Sequence, residues 1–156
     1  IFGIDIVWFT FIINIHLGLS PYYRGSGTNF WPLVNREPEY VGATIHYLDA
    51  GIDTGAMIAH VRPDMNENDG PHDLGNKTII AAAQAMPSVI TAHLAGVVRS
   101  EVQDNSLGNL YLRKHFTADA VRTLYEQFDS GMIAEYLTHK EERDASLHLL
   151  PVPTIS

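Results

Sequence analysis

The sequence predicts an α/β domain whose sheet is largely parallel and carries one antiparallel hairpin. Three observations support that reading. Residues 4–16 are rich in Ile, Val, Phe and Trp, the residues that fill buried strands. Two shorter apolar segments, "VGATIHYL" and "AMIAHVR", flank the turn "DAGIDTG" and so form a hairpin. From His72 to Val97, apolar positions recur at helical spacing.

Taken in order, residues 4–16 read as one or two core strands, followed by the loop "LGLSPYYRGSG". A short helix is predicted near residues 29–36, with Thr28 or Asn29 as its cap and Pro32 in its first turn. The hairpin holds Asp53 at its tip between Gly51 and Gly55. Pro87 lies inside the long helix and should kink or split it. Two further helices are expected near 117–128 and 131–140, and the tail "LLPVPTIS" reads as loosely ordered.

A chain of 156 residues suits one domain. It has no cysteine, which excludes disulfides, thiolate zinc sites and cysteine nucleophiles and is compatible with the cytoplasm, the expected location. Ten basic residues against eighteen acidic ones give a net charge of −8, a poor balance for binding nucleic acid. The apolar start, "IFGIDIVWFTFIINI", is shorter than the roughly 20 residues a membrane helix needs, and Asp5 interrupts it. It also lacks the basic region and cleavage site of a signal peptide, so no membrane partner is expected.

Candidate chemistry gathers where the first strand ends. Asn14 and His16 are two apart and therefore project from one strand face. An amide can hold a developing oxyanion, and an imidazole can move protons near neutral pH. Asp53, on its glycine-flanked turn, can orient that imidazole. This trio suits attack by an amine on a carbonyl-like carbon. An N-x-H at a strand end is also compatible with a plain polar edge, and G-x-D-x-G with a simple tight turn.

Other motifs fall short. "RGSGTNF" has Phe30 where a dinucleotide fingerprint needs its third glycine. "GLSPY" has Tyr22 in place of the second glycine of a nucleophile elbow, which disfavours a hydrolase built on Ser20, His16 and Asp53. The eight histidines show no H-x-H or H-E-x-x-H spacing, so no metal site is expected.

Together, "INIHLGLSPYYRG" (residues 13–25) and "VGATIHYLDAGIDTGAMIAHVRPDM" (residues 41–65) resemble the folate-dependent formyltransferase family. That family includes glycinamide ribonucleotide, methionyl-tRNA and nucleotide-sugar formyltransferases. The resemblance runs over residues 12–97 and implies a Rossmann-like domain, with residues 1–100 as the catalytic segment and 101–156 as its helical extension. It also implies 10-formyltetrahydrofolate as formyl donor and a small-molecule amine, such as an amino sugar nucleotide, as acceptor. Asn14, His16 and Asp53 match the family's catalytic three. Leu48, Asp49, Ala50, Gly51 and Ile52 match its pterin loop, and Tyr23, Arg24 and Gly25 its acceptor loop. Leu17-Gly18-Leu19-Ser20 replaces the usual Pro-Ser-Leu-Leu, and Ala50 replaces a common acidic residue. The βαβ half that precedes the catalytic strand in the family has no counterpart here. The expectation is an N-terminally truncated domain that leaves that strand near a sheet edge and favours self-association. The alternative is a non-catalytic remnant or binding module of the same fold.

Overall fold

The computed structural model describes residues 11–104 and 106–154. In chain order the elements are β1 (Ile13–His16), β2 (Tyr23–Gly25), α1 (Trp31–Val34), a 3-10 turn (Pro38–Tyr40), β3 (Ala43–Tyr47), β4 (Met57–Val61) and α2 (Pro71–Leu94). β5 (Asn109–Tyr111), a second 3-10 turn (Arg113–His115), α3 (Ala118–Asp129), α4 (Met132–Thr138) and α5 (Lys140–Asp144) follow. Residues 4–10 of the expected first strand and 155–156 of the tail lie outside the described residues.

The α/β class holds, but the pairing directions differ from expectation. β1, β3 and β4 form one sheet in that order, antiparallel throughout. Parallel pairing among the described residues is confined to β2 and β5. A parallel return needs a crossover element lying on the sheet. Between β1 and β3 the only α-helix is the four-residue α1, which packs against α3 instead. The predicted hairpin is β3–β4, with a bulge between Ile45 and His46.

Strand alternation divides the sheet chemically. Ile45, Ile58 and Ala59 pack with Ala85 and Val89 of α2, forming one core. Each Ile or Val buried in this way contributes roughly 1.5–3 kcal/mol relative to exposure. A second core joins Leu33, Val41, Leu74, Leu124, Met132 and Tyr136 beneath the helices. With α2 on the apolar face, the polar residues of β1 and β3 share the other.

Three local expectations are corrected. α2 is not split at Pro87. Pro87 and Ala83, whose carbonyl loses its helical donor to the proline, are both exposed, so water can satisfy that carbonyl. The helix stops at Leu94 in a Schellman arrangement, with Gly96 at φ 69° and Val97 N–H donating to the Ala92 carbonyl. Neither Thr28 nor Asn29 caps α1: the Thr28 hydroxyl donates to the Leu17 carbonyl, and Asn29 Oδ1 accepts from Gly42 N–H at 3.0 Å. The tail is not loose over residues 149–154. His60 N–H donates to the Leu150 carbonyl at 2.8 Å, and Leu150 N–H donates to His60 Nδ1 at 2.9 Å. Leu150 is buried, and Val152 packs on the β3–β4 core. A sheet edge left bare would carry unpaired backbone groups, and this strap covers that of β4. Among the described residues, no helix is long and apolar enough to cross a membrane.

Candidate active site

The register of β1 on β3 sets Asn14 opposite His46 and His16 opposite Thr44. Thr44 Oγ1 accepts from Ser20 N–H at 2.8 Å and donates to the Gly18 carbonyl at 2.6 Å, folding the post-strand loop back over the sheet. Gly18 lies under His16: a Cβ there would sit 2.7 Å from His16 Nε2 and 2.5 Å from Thr28. The hairpin turn brings Asp53 to the same face. Asp53 adopts φ 53°, the left-handed region that Asp and Asn tolerate better than most residues. Gln103 Nε2 clamps the turn by donating to the carbonyls of Asp53 (2.8 Å) and Gly55 (2.7 Å).

Two histidines organise the cluster. His16 Nε2 lies 3.1 Å from the Tyr23 carbonyl, and its Nδ1 lies 3.3 Å from Asp53 Oδ2. Both neighbours only accept, so each favours a hydrogen on the nitrogen facing it. Burial opposes them and prevails, holding His16 below the ordinary imidazole value; nearby His46 lowers it further. His16 is thus a buried base whose protonated form already has two acceptors in place. Asp53 is the more accessible partner, with its side chain 19% exposed against 6% for His16.

His46 governs Asn14. Its Nδ1 lies 2.8 Å from the Tyr47 carbonyl, so Nδ1 carries the hydrogen. Nε2 then accepts from Asn14 Nδ2–H at 3.2 Å. That bond fixes which end of the Asn14 amide faces inward and leaves its second N–H for a ligand. His46 Nε2 is also 3.9 Å from Asp53 Oδ1. Neither His46 nor Gln103 is singled out by sequence reasoning. The signal for His46 is the alternation Thr44-x-His46 in a strand opposite N-x-H; Gln103 has no local signal, because it reaches the turn from a distant loop.

The structure brings Asn14, His16 and Asp53 together on one face. Leu48, Asp49, Ala50, Gly51 and Ile52 form the turn leading into Asp53. Asp49 is spent on the turn itself, accepting from Gly51 N–H at 3.0 Å and Thr54 Oγ1 at 2.8 Å. Leu48 and Ile52 remain half-exposed, at 50% and 59%. Two large apolar side chains beside solvent-facing backbone suit the flat, hydrogen-bonding ring of a folate, so the donor implied by the resemblance fits this loop. Tyr23, Arg24 and Gly25 make up β2. The Tyr23 ring is buried, and its hydroxyl donates to Glu37 and accepts from Asn35; what Tyr23 turns toward the site is its carbonyl. Gly25, at φ 88°, passes so close to the Tyr111 carbonyl that a Cβ would lie 2.2 Å from it. A cleft of about 740 Å³ between Ile58, Val97 and the Leu150–Thr154 strap shares no lining residue with this cluster.

The fold is α/β, with Asn14 and His16 on β1 and Asp53 on the β3–β4 turn meeting on one face of the sheet. The formyl transferase family model matches residues 7–90. The chain belongs to the formyl transferase family. The methionyl-tRNA formyltransferase of Solibacter usitatus is 33% identical over 99 residues, 64% of this chain and 32% of that protein. That of Clostridioides difficile is 32% identical over 113 residues, 65% of this chain and 36% of that protein. The chain thus spans about a third of the length of these curated relatives. Among solved structures, a 4-N formyltransferase from Francisella tularensis superposes with TM-score 0.62 at 25% identity, covering 76% of this chain and 52% of that one. A formyltransferase from Anoxybacillus kamchatkensis, in complex with UDP-4,6-dideoxy-4-formamido-L-AltNAc and tetrahydrofolate, gives 0.60 at 26% identity over 72% and 56%.

Proposed function

We propose that this chain carries the catalytic site for transfer of a formyl group from 10-formyltetrahydrofolate to the amine of a small-molecule acceptor, an amino sugar linked to a nucleotide. The observation that carries this reading is the convergence of Asn14, His16 and Asp53, with His16 Nδ1 3.3 Å from the carboxylate and Asn14 held by His46. The folate donor supplies an activated one-carbon unit at the formyl oxidation level, seated along Leu48–Ile52. The free N–H of Asn14 donates to the formyl oxygen as negative charge grows there. His16 stabilises that charge in its protonated form, with its own positive charge held by Asp53. The Asp53 carboxylate, the less buried member of the pair, takes the proton that the attacking amine must lose, and His16 returns a proton to the departing nitrogen. His46 acts through Asn14 and is a positioning residue.

A second acceptor, methionyl-tRNA, is favoured by one observation, the 32–33% identity to methionyl-tRNA formyltransferases. The net charge of −8 weighs against a polyanionic substrate, and the Anoxybacillus kamchatkensis relative is in complex with a UDP-sugar. The test is product mass after incubating the chain with 10-formyltetrahydrofolate and a UDP-linked amino sugar, beside His16→Ala. A formylated sugar is expected with the unsubstituted chain and not with the variant. Equal product from both would overturn this assignment of the site. A chain that binds a folate analogue yet formylates no amine would support the non-catalytic alternative.

A further inference from the structure

We infer that Gln103 is a positioning residue for Asp53: the two hydrogens of its side-chain amide fix the backbone on either side of Thr54 and so aim the carboxylate at His16; this rests on the formyl-transfer reading. Gln103 Nε2 lies 2.8 Å from the Asp53 carbonyl and 2.7 Å from that of Gly55. A primary amide has two N–H donors, and here each goes to one carbonyl. Neither is left for a substrate, so Gln103 acts through the turn.

The turn needs such a hold. At its base Tyr47 N–H donates to the Ala56 carbonyl at 3.0 Å. Asp49 accepts from Gly51 N–H and from the Thr54 hydroxyl, tying Thr54 back to the start of the turn. These bonds leave the carbonyls of Asp53 and Gly55, and Gln103 takes both. Asp53 sits at φ 53°, a conformation that a residue with a Cβ keeps where its surroundings fix it. From there the carboxylate reaches two rings, with Oδ2 3.3 Å from His16 Nδ1 and Oδ1 3.9 Å from His46 Nε2. Rotation of the Asp53 backbone would swing both oxygens away together.

Gln103 is itself anchored on both sides. Two residues before it, Glu101 bridges Met57 at the start of β4, with N–H to carbonyl bonds of 2.8 Å in each direction. One residue after it, Asp104 Oδ1 accepts from Ser106 N–H at 2.9 Å and turns the chain. Gln103 is 4% exposed, and its buried Oε1 accepts no hydrogen bond among the described residues. A buried acceptor without a partner costs stability, which an apolar side chain of the same shape would avoid. What the amide contributes is therefore its donors. Bridge, amide and turn make a short rigid path from β4 to the carboxylate.

The test uses Gln103→Met in the full chain, which keeps the length of the side chain and removes both donors. Formyl transfer to a UDP-linked amino sugar should lose about 10- to 100-fold in kcat, since misplacing a reacting group by ~1 Å can cost about 100-fold. In an Asp53→Asn background the same substitution should change kcat by less than about twofold, because the carboxylate it aims is already gone. A pH titration of the His16 ring by NMR gives a readout that needs no turnover. Asp53 raises the His16 pKa against burial and nearby His46, so losing the clamp should move the midpoint down. Asp53→Asn should move it in the same direction, and the double variant no further. Where Gln103→Met fails to fold, Gln103→Asn, one methylene too short to reach both carbonyls, carries the same measurements. An unmoved His16 midpoint, or equal kcat losses in both backgrounds, would reduce Gln103 to a structural residue and overturn the inference. If the midpoint moves as expected while the unsubstituted chain formylates no amine, the formyl-transfer reading fails and the positioning of Asp53 stands.

Discussion

His16 is caught between opposing demands: burial favours its uncharged form, while Asp53 and the Tyr23 carbonyl both favour the charged one. Burial prevails, so the ring rests as a base, with two acceptors already in place for its protonated form. On the proposed mechanism, replacing Asn14 by Ala removes one donor to the developing oxyanion and should lower turnover by ~100- to 1,000-fold. Asp53→Asn is the cleaner probe of charge, because Asn shares the shape of Asp and tolerates φ 53°. It should leave thermal stability nearly unchanged and lower turnover at least as much as Asn14→Ala. Steady-state formyl transfer, read beside a melting curve for each variant, checks both; normal turnover in a well-folded Asp53→Asn would remove Asp53 from the mechanism.

At the level of elements, two glycines give opposite predictions. A Cβ on Gly55 would lie 1.6 Å from the Tyr47 carbonyl, inside the backbone of the hairpin. Gly55→Ala should therefore cost ~4 kcal/mol or more, at the far end of single substitutions. Gly75 is inside α2, and nothing lies within 4 Å of the corresponding Cβ. Gly75→Ala should stabilise the protein by roughly 0.5–1 kcal/mol, since glycine lowers helix stability by that much. Urea unfolding of the two variants measures both. These elements were the legible part of the sequence: the hairpin announced itself through alternation about "DAGIDTG", and α2 through its apolar spacing. β2 and β5 were not legible, because three-residue strands carry no periodic signal and pair across more than eighty residues of sequence. The proposed trio of Asn14, His16 and Asp53 was legible as residue types, and the Asn14–His46 bond was not, because it depends on the β1–β3 register.

For the molecule as a whole, the strap over β4 couples stability to pH. His60 accepts from Leu150 N–H at Nδ1 and donates from Nε2 to the Ser20 carbonyl. Burial depresses its pKa below 6.5; the Ser20 carbonyl and Glu101 oppose that shift, and His148 adds to it. The unfolded chain therefore binds the proton more readily. The contribution is fully present above about pH 6.5 and is lost as the pH falls through the folded value. His16 shifts in the same direction. Urea midpoints should drop between pH 7.5 and pH 5, and His60→Gln should flatten that slope; an unchanged slope would discount the strap.

β1 has a strand neighbour on one side only among the described residues, and Phe11 and Ile12 at its start are 60% and 53% exposed. Light scattering on the 156-residue chain should therefore report concentration-dependent association. A monodisperse monomer across the concentration range would count against that edge as a contact.

The register of β1 on β3 also dictates where this chain can change length. A residue deleted within Ile13–His16 or Ala43–Tyr47 moves its neighbours to the opposite sheet face, displacing Asn14 or His16 in the first strand and Thr44 or His46 in the second. A residue inserted between Glu67 and Asn68 lengthens an exposed turn ahead of α2, at the expense of the Asn66–Asp69 hydrogen bonds and of a closure cost that grows slowly with length. Insertions and deletions are therefore expected to accumulate in such turns among functional variants. The two short strands should keep a constant residue count even where their apolar side chains are exchanged.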